Sequence, residues 1–590
     1  MKKKIVALCL AGILFMQTPI QASVITGEAV PAQERQEKGG KIPSHVKLEY
    51  EREDVSELPS RMIPKKAAED LEQYTAQKTP VKDQNPLGTC WIFATYGNLE
   101  SYMKERTGTE YDFSENHMKY AMTASDPSIE NKYGYDLTGS DGGNYWMSLA
   151  YLTRGTLTGP VYETEDPYDG GEIRKLSETK SKSQSGFYVE KAKLLGDLNY
   201  TCNTNDWWKK SDYQAYLKSM KNMIYEYGAI YSGYYSKSGT SANYHEFDYG
   251  DGTKGIAYLS DLREVGGNQL LSSESNHAIT VVGWDDNFKK ENFYEGCRPE
   301  ADGAFLVKNS WGENWGEGGY FWISYEEFFS ESTTVMKVAD RKNLYDHMYE
   351  YDPLGVTDSY TLDRKKMVYM NQFSRKTSDK QKVTAVSSYF LQKGVKVNVY
   401  VSPTRDAKDL RKVKTTSIKN TGFHVLSLDK PVTITDSRYL VAIELSADTE
   451  GLTFPVEDRW YEYSSQAEAE GGQGYLGNSI ASVKEGEYTD LTKKKVYLHG
   501  YDEYKSLKNA NFCLKSYTKT MGTLKGISED GVVTNYGTRT YTGKYITQTP
   551  TVKLKGKTLK KGRDYRIFYS NHKNPGIATM TIVGNGDYCG

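Results

Sequence analysis

Four residues in this chain have the types and surroundings that nucleophilic thiol chemistry requires. That chemistry needs a cysteine held as thiolate, an imidazole to stabilise it and carry its proton, a group that orients the imidazole, and donors for the developing oxyanion. Cys90 follows the turn Gly88-Thr89 at the start of a helical pattern, and Gln84 lies just before it. His277 opens an apolar run, and Asn309 closes another, next to Ser310 and Trp311. A cysteine in the first turn of a helix sits in the field of unpaired backbone N–H groups, which favours thiolate. An asparagine oxygen accepting from the second ring nitrogen of His277 fixes the imidazole without adding charge. Trp311 is placed to shield that bond from water. Each residue also has a plainer reading: Cys90 as a small core residue, Asn309 as a turn former, the tryptophans as core. His45, His117, His245, His347, His424, His499 and His572 lack such surroundings and keep the plainer reading.

The elements that must hold these residues are legible in outline. Ile92, Phe93, Tyr96, Leu99 and Met103 recur at spacings of one, three and four, which predicts a helix with one buried face ending at Gly108. Phe113–Asn116 reads as a cap and a second helix. The glycine-rich turn 139–144 leads into a third over Tyr145–Arg154. Met220–Tyr227 reads as a helix running into the strand Ile230–Tyr234, and Gly239–Ser275 as a long surface insertion. Asn276–Trp284, Ala304–Lys308 and Tyr320–Ile323 are predicted strands.

At 590 residues the chain exceeds what one core can organise, so three or four domains are expected. With 75 basic and 77 acidic residues and a net charge of -2, nothing electrostatic points to nucleic acid. Lys2-Lys3-Lys4, the apolar run Ile5–Met16 and the stretch to Ala22 read as a secretory signal peptide (1–22), cleaved near Ala22-Ser23. That run is too short to span a bilayer, and no later stretch approaches a membrane span. Residues 23–57 are polar and charged, a linker or short propeptide. Leu58–Arg61 marks the start of the first domain. The mature chain keeps Cys90, Cys202, Cys297, Cys513 and Cys589, an odd, scattered set in which Cys202–Cys297 is one candidate disulfide. A cysteine left unpaired in an oxidising compartment is usually kept for its reactivity. No metal or cofactor is called for. Asp248–Gly252 lacks calcium-loop spacing, and no paired zinc spacing or phosphate-binding loop occurs.

From about Asn343 the texture turns to short strands. Val395, Val397, Val399 and Val401 alternate with other residues, as do Val432 and Ile434, which fits a β-sandwich over 343–517. A smaller all-β unit over 521–590 is marked by Val552/Leu554 and Tyr565/Ile567/Tyr569. It stops at Gly590, where another strand is expected, which leaves open a truncated module.

In the order Gln84, Cys90, His277, Asn309 the chain resembles the papain family of cysteine peptidases. The resemblance lies in DQNPLGTCW (83–91), NHAITVVGW (276–284) and VKNSWGENWGEGGYFWI (307–323), with lesser echoes in FSEN (113–116) and DGGN (141–144). It covers roughly residues 58–342 and implies an α+β domain with a helical half and a β-barrel-like half. It further implies Gln84 as oxyanion-hole donor, Cys90 as nucleophile, His277 as base and Asn309 as its orienter. Gly142 and Gly143 would meet the substrate backbone. Leu87 stands where the family often has a further cysteine. The interval from Cys90 to His277 exceeds the roughly 130–150 residues typical of the family, and an insertion falls around Asp285–Asp302. Side-chain specificity therefore does not transfer, and the preceding segment is short for the family's inhibitory propeptide. Residues 343–517 resemble the lectin-like β-sandwich that follows such peptidases in some secreted bacterial proteins, which implies cell-surface carbohydrate as a partner. Residues 521–590 resemble bacterial immunoglobulin-like repeats.

The reading is thus a multidomain, secreted or cell-surface bacterial cysteine endopeptidase acting on proteins or peptides through a Cys90 acyl-enzyme. The alternatives are a glycan-binding surface adhesin with an inactive peptidase domain, which four filled catalytic positions disfavour, and thiol chemistry on peptidoglycan cross-links.

Overall fold

The structure, a computed structural model, describes residues 40–42, 44, 46, 48–50, 71–124, 133–170, 186–237, 243–264, 267–340, 344–460, 463–493, 495–499, 505–523, 525–527, 531–542, 544, 546–570, 572, 575–584 and 588–589. The signal peptide and the expected domain start at Leu58–Arg61 lie outside the described residues. Among the described residues no helix is long and apolar enough to cross a membrane.

The first domain places helices on one side of a sheet. After a short strand β1 (Gln73–Thr75) come helices α1 (Cys90–Thr107), α2 (Glu115–Met122) and α3 (Tyr145–Thr153). Strand β2 (Phe187–Leu194), helix α4 (Ser211–Tyr227) and strands β3 (Ile230–Tyr234), β4 (Tyr244–Asp248) and β5 (Lys254–Tyr258) follow. Strands β6 (His277–Asp285), β7 (Ala304–Lys308), β8 (Tyr320–Ser324) and β9 (Ser330–Asp340) complete it. In space the strands run β2-β9-β3-β6-β7-β8-β5-β4, with β1 on β6. Every neighbouring pair is antiparallel except β5 and β8.

Helix α1 ends where expected: Gly108 takes the left-handed conformation (φ 69°) and returns its N–H to the Lys104 carbonyl. It is not half-exposed, however. Every residue from Cys90 to Met103 is buried, because α2 and α3 cover one side and the sheet covers the other. Ser114 caps α2 by accepting from the His117 N–H, and Asn144 caps α3 through the Met147 N–H. α4 starts at Ser211, nine residues before the predicted Met220, with Tyr213, Tyr216 and Leu217 buried in that added length. The expected surface insertion at Gly239–Ser275 is corrected too. It contributes β4 and β5, and buries Tyr244 against Trp311 and Trp315, Phe247 against Phe288, and Tyr258 against Tyr234. Its aromatic residues outweigh the turn-forming Gly, Ser and Asp that surround them. Cys202 and Cys297 are both free, buried thiols, so the candidate disulfide does not form. Cys297 Sγ instead lies 3.3 Å from the Leu259 carbonyl oxygen, to which it donates.

The strand-rich region beyond is a two-layer sandwich. A six-stranded sheet, including Lys366–Ser374, Lys396–Ser402 and Arg438–Ser446, faces Asp379–Phe390, Gly422–Thr433 and Leu514–Thr523. Val397, Val399 and Val401 point into the shared core with Val383, Val386 and Leu514, as their alternation predicts. The two layers are not separate from the first domain. Gly422, Phe423 and His424 pair with Lys193, Ala192 and Lys191 of β2, joining both into one 13-stranded sheet. Tyr389, Phe423, Tyr463 and Cys513 enter the same core as α1 and α3. Past Thr523, where the last sandwich strand ends, lies a small β unit with strands at Gly531–Thr534, Thr551–Leu554, Tyr565–Ser570 and Thr579–Gly584 around Val552, Leu554 and Tyr565.

Candidate active site

Cys90 is the first residue of α1, and His277 is the first residue of β6, the strand on which α1 packs. Asn309 follows directly on β7, the neighbour of β6, so the antiparallel pairing brings its side chain beside the imidazole. His277 Nε2 lies 2.9 Å from Asn309 Oδ1. The Trp311 indole stacks on the ring at 5.0 Å between centroids and 23° between planes, so the bond is kept dry. Asn309 Oδ1 also accepts from the Ser310 N–H at 2.9 Å, which fixes the amide's orientation. The other ring nitrogen, Nδ1, is buried with no hydrogen-bond partner among the described residues.

Cys90 Sγ accepts from the backbone N–H of Ala278, the residue after His277, at 3.4 Å. It also accepts from the N–H of Gly40 at 3.3 Å. Burial pushes the thiol up to about 11, with the two N–H donors opposing that shift. Burial likewise drives His277 down to about 4, against the bond to Asn309. In this closed state both groups are therefore neutral near pH 7, and the thiolate expected from the helix terminus is not the form present. Desolvation, which grows with complete burial, exceeds what a helix terminus supplies.

Gln84 is buried, with its backbone N–H on the Ser310 carbonyl (2.8 Å). Its side-chain oxygen accepts from Ser310 Oγ (2.6 Å), and its Nε2 donates to the Leu87 carbonyl (2.9 Å). The loop carrying Asn309 thus positions the glutamine as well. Gly142 and Gly143 form the opposite wall. A Cβ on Gly143 would fall 2.4 Å from the Trp91 ring, so only glycine lets this wall approach the start of α1.

The expected linker contributes to the site directly, which its polar composition did not suggest. Gly143 N–H donates to Gly40 C=O (2.8 Å), Ile42 N–H to Gly143 C=O (2.9 Å), and Lys41 N–H to Asn276 C=O (3.1 Å). Residues 40–42 therefore form a strap across the cleft, pairing parallel with Gly143 and leaving Cys90 with no exposed surface. Gly40 is the one available signal, since a Cβ there would fall 2.0 Å from the Gly88 carbonyl oxygen. Among the described residues no cluster of His, Cys, Asp or Glu could hold a metal ion.

The papain family cysteine protease profile matches residues 66–339, and the lectin-like domain profile matches 348–518. The chain is 24% identical over 284 residues to cysteine proteinase 3 of Entamoeba histolytica, covering 48% of this chain and 71% of that protein. It is 24% identical over 257 residues to gamete and mating-type specific protein A of Dictyostelium discoideum, covering 42% of this chain and only 41% of that protein. Among solved structures it resembles the cysteine protease and lectin-like domains of Cwp84, a surface layer associated protein of Clostridium difficile. The TM-score is 0.61 at 23% identity, covering 82% of this chain and 93% of that one. This likeness extends the shared fold through both domains. The chain thus carries a peptidase domain of the papain family of cysteine proteases, followed by a lectin-like domain.

Proposed function

We propose that the chain is a secreted cysteine endopeptidase, held latent by residues 40–42, that hydrolyses peptide bonds through a Cys90 thioester. The observation that carries this reading is the buried His277–Asn309 bond under Trp311, on the strand whose next N–H touches Cys90 Sγ. With the strap displaced, water reaches the cleft and the desolvation that keeps both groups neutral is relieved. His277 Nδ1 then takes the thiol proton, and Sγ attacks the substrate carbonyl. The Gln84 amide and the backbone N–H at Cys90 receive the developing oxyanion. The imidazolium, oriented through Nε2 by Asn309, returns the proton to the leaving amine. Water, deprotonated by the same ring, releases the acyl group and restores the thiol. The strap itself is not cut, because it presents an amide N–H to Sγ where a substrate presents a carbonyl carbon. Gly142 and Gly143 serve the substrate backbone as they serve the strap. The lectin-like domain and residues 521–590, read as an immunoglobulin-like module, attach the enzyme to the cell surface or its glycans.

The test is incubation of the full chain, opened by Gly40→Ala, with a thiol-directed epoxide, followed by mass spectrometry. Labelling is expected at Cys90 and lost in His277→Ala. Cys90→Ala is expected to abolish peptide hydrolysis with its unfolding transition nearly unchanged. An unlabelled Cys90 together with retained glycan binding would favour the adhesin reading, and unfolding of Cys90→Ala would make the cysteine a core residue.

A further inference from the structure

The strap shows what one pocket of the cleft is built to hold. Lys41 enters with a backbone paired on both sides, to Gly143 and Asn276. Its side chain has 0% exposure, and its Nζ reaches 3.4 Å from Glu331 Oε2, at ion-pair distance. The stem passes over Gly233, where a Cβ would lie 2.6 Å from Lys41 Cε and 2.9 Å from its Cδ; Ser275 Oγ is a further 2.6 Å contact of that Cβ. The pocket thus has the length of a four-carbon stem and a floor opened by a missing side chain. It ends on a carboxylate that is 13% exposed. Glu331 is held in place: its backbone takes φ 49°, in the left-handed region, and its N–H donates to Asp197 Oδ1 at 2.6 Å. Asp197 thus anchors the backbone that carries Glu331. A buried carboxylate without a cation is strongly disfavoured, and an uncharged side chain in this pocket would leave Glu331 in that condition.

We propose that Glu331 makes this pocket selective for lysine and arginine. Substrates would then carry a basic residue immediately before the residue whose carbonyl Cys90 attacks. This deepens the cysteine-peptidase reading and rests on it. Lys41 fills the pocket in the latent chain, and a substrate's basic residue replaces it in the open one. Selectivity comes from the cost of leaving Glu331 unpaired more than from attraction to the cation, so an uncharged side chain of equal length is the informative competitor.

The test uses full-length Gly40→Ala chain and peptides differing only at that position: lysine, arginine, norleucine and glutamate. Lysine and arginine are expected to exceed norleucine about tenfold or more in kcat/KM. Glu331→Gln should erase that preference while norleucine peptides are still cut, and Glu331→Lys should shift it to glutamate. Norleucine cut as fast as lysine, or a preference that survives Glu331→Gln, overturns the proposal. Loss of all cleavage together with loss of epoxide labelling would instead count against the peptidase reading. The pocket is then read without turnover, from alkylation of Cys90 by iodoacetamide in the chain with Gly40 intact. Glu331→Gln should speed alkylation, and Lys41→Glu combined with Glu331→Lys should restore protection. Equal rates in all of these chains overturn the proposal.

Discussion

Gly40 is the point at which the closed state can be tested most directly. A Cβ at this position would lie 2.0 Å from the Gly88 carbonyl oxygen, a backbone atom that cannot swing aside. Gly40→Ala must therefore lift the strap, breaking the bond from its N–H to Cys90 Sγ and the one from Gly143 N–H to its carbonyl. At about 1 kcal/mol net for each bond, the closed state loses roughly 2 kcal/mol relative to the open one, or about 30-fold in the open population. Cys90 is fully buried when the strap is closed, so its alkylation rate follows the open population. A short pulse of iodoacetamide on the native full-length chain, read by peptide mass spectrometry, should show Cys90 modified about 30 times faster in the variant. Cys202, Cys297 and Cys513 are buried thiols in other parts of the fold and serve as internal controls. Their rates should not move. An unchanged Cys90 rate would refute the strap. So would a rise of all four thiols together, which would report global unfolding.

Two further outcomes follow from the packing of the site. His277 titrates near 4 in the closed fold against an ordinary 6.5, so the unfolded chain binds more protons between those values and stability falls as pH drops through that window. The difference amounts to about 3 kcal/mol. Denaturant unfolding of the wild type and His277→Gln from pH 7 to 4 should show the variant losing less stability, and parallel curves would rule this out. Tyr463, from the sandwich, accepts at its hydroxyl from Asn144 Nδ2 at 3.0 Å. Tyr463→Phe takes this acceptor from the buried Asn144 Nδ2–H and should destabilise the chain by about 1–3 kcal/mol in chemical denaturation. A change below about 0.5 kcal/mol would mean that the contact is not formed in solution.

Much of the peptidase domain was legible because its signals are local. Gly108 ends α1, Ser114 and Asn144 cap α2 and α3, and the apolar runs at β6 and β7 are the strands expected, each by interactions within a few residues of the chain. Asn309 could be matched to His277 because consecutive antiparallel strands bring the end of one beside the start of the other. Other elements depend on distant partners. Tyr244 and Tyr258 sit in a stretch dense in turn formers, and the tryptophans after β7 (for Tyr244) and Tyr234 of β3 (for Tyr258) give them a core to enter. Gly422–His424 looks like any other sandwich strand, and nothing in its own composition names β2 as its neighbour. The protonation of Cys90 follows the same division: the helix terminus is visible in sequence, whereas complete burial depends on a strap about fifty residues away.

From the amino-acid order alone came the chemistry on offer: one thiol, imidazole and amide in the right order, two glycines for a backbone to lie against, and strand-rich domains behind them. Only the tertiary structure decided that the thiol is covered and neutral, and that Lys41 and Glu331 meet in one pocket. It alone decided that the sandwich shares a sheet and a core with the peptidase. Local patterns specify elements through short-range sterics and hydrogen bonds, while burial, ion pairing and strand neighbours are sums over contacts between residues far apart in the chain.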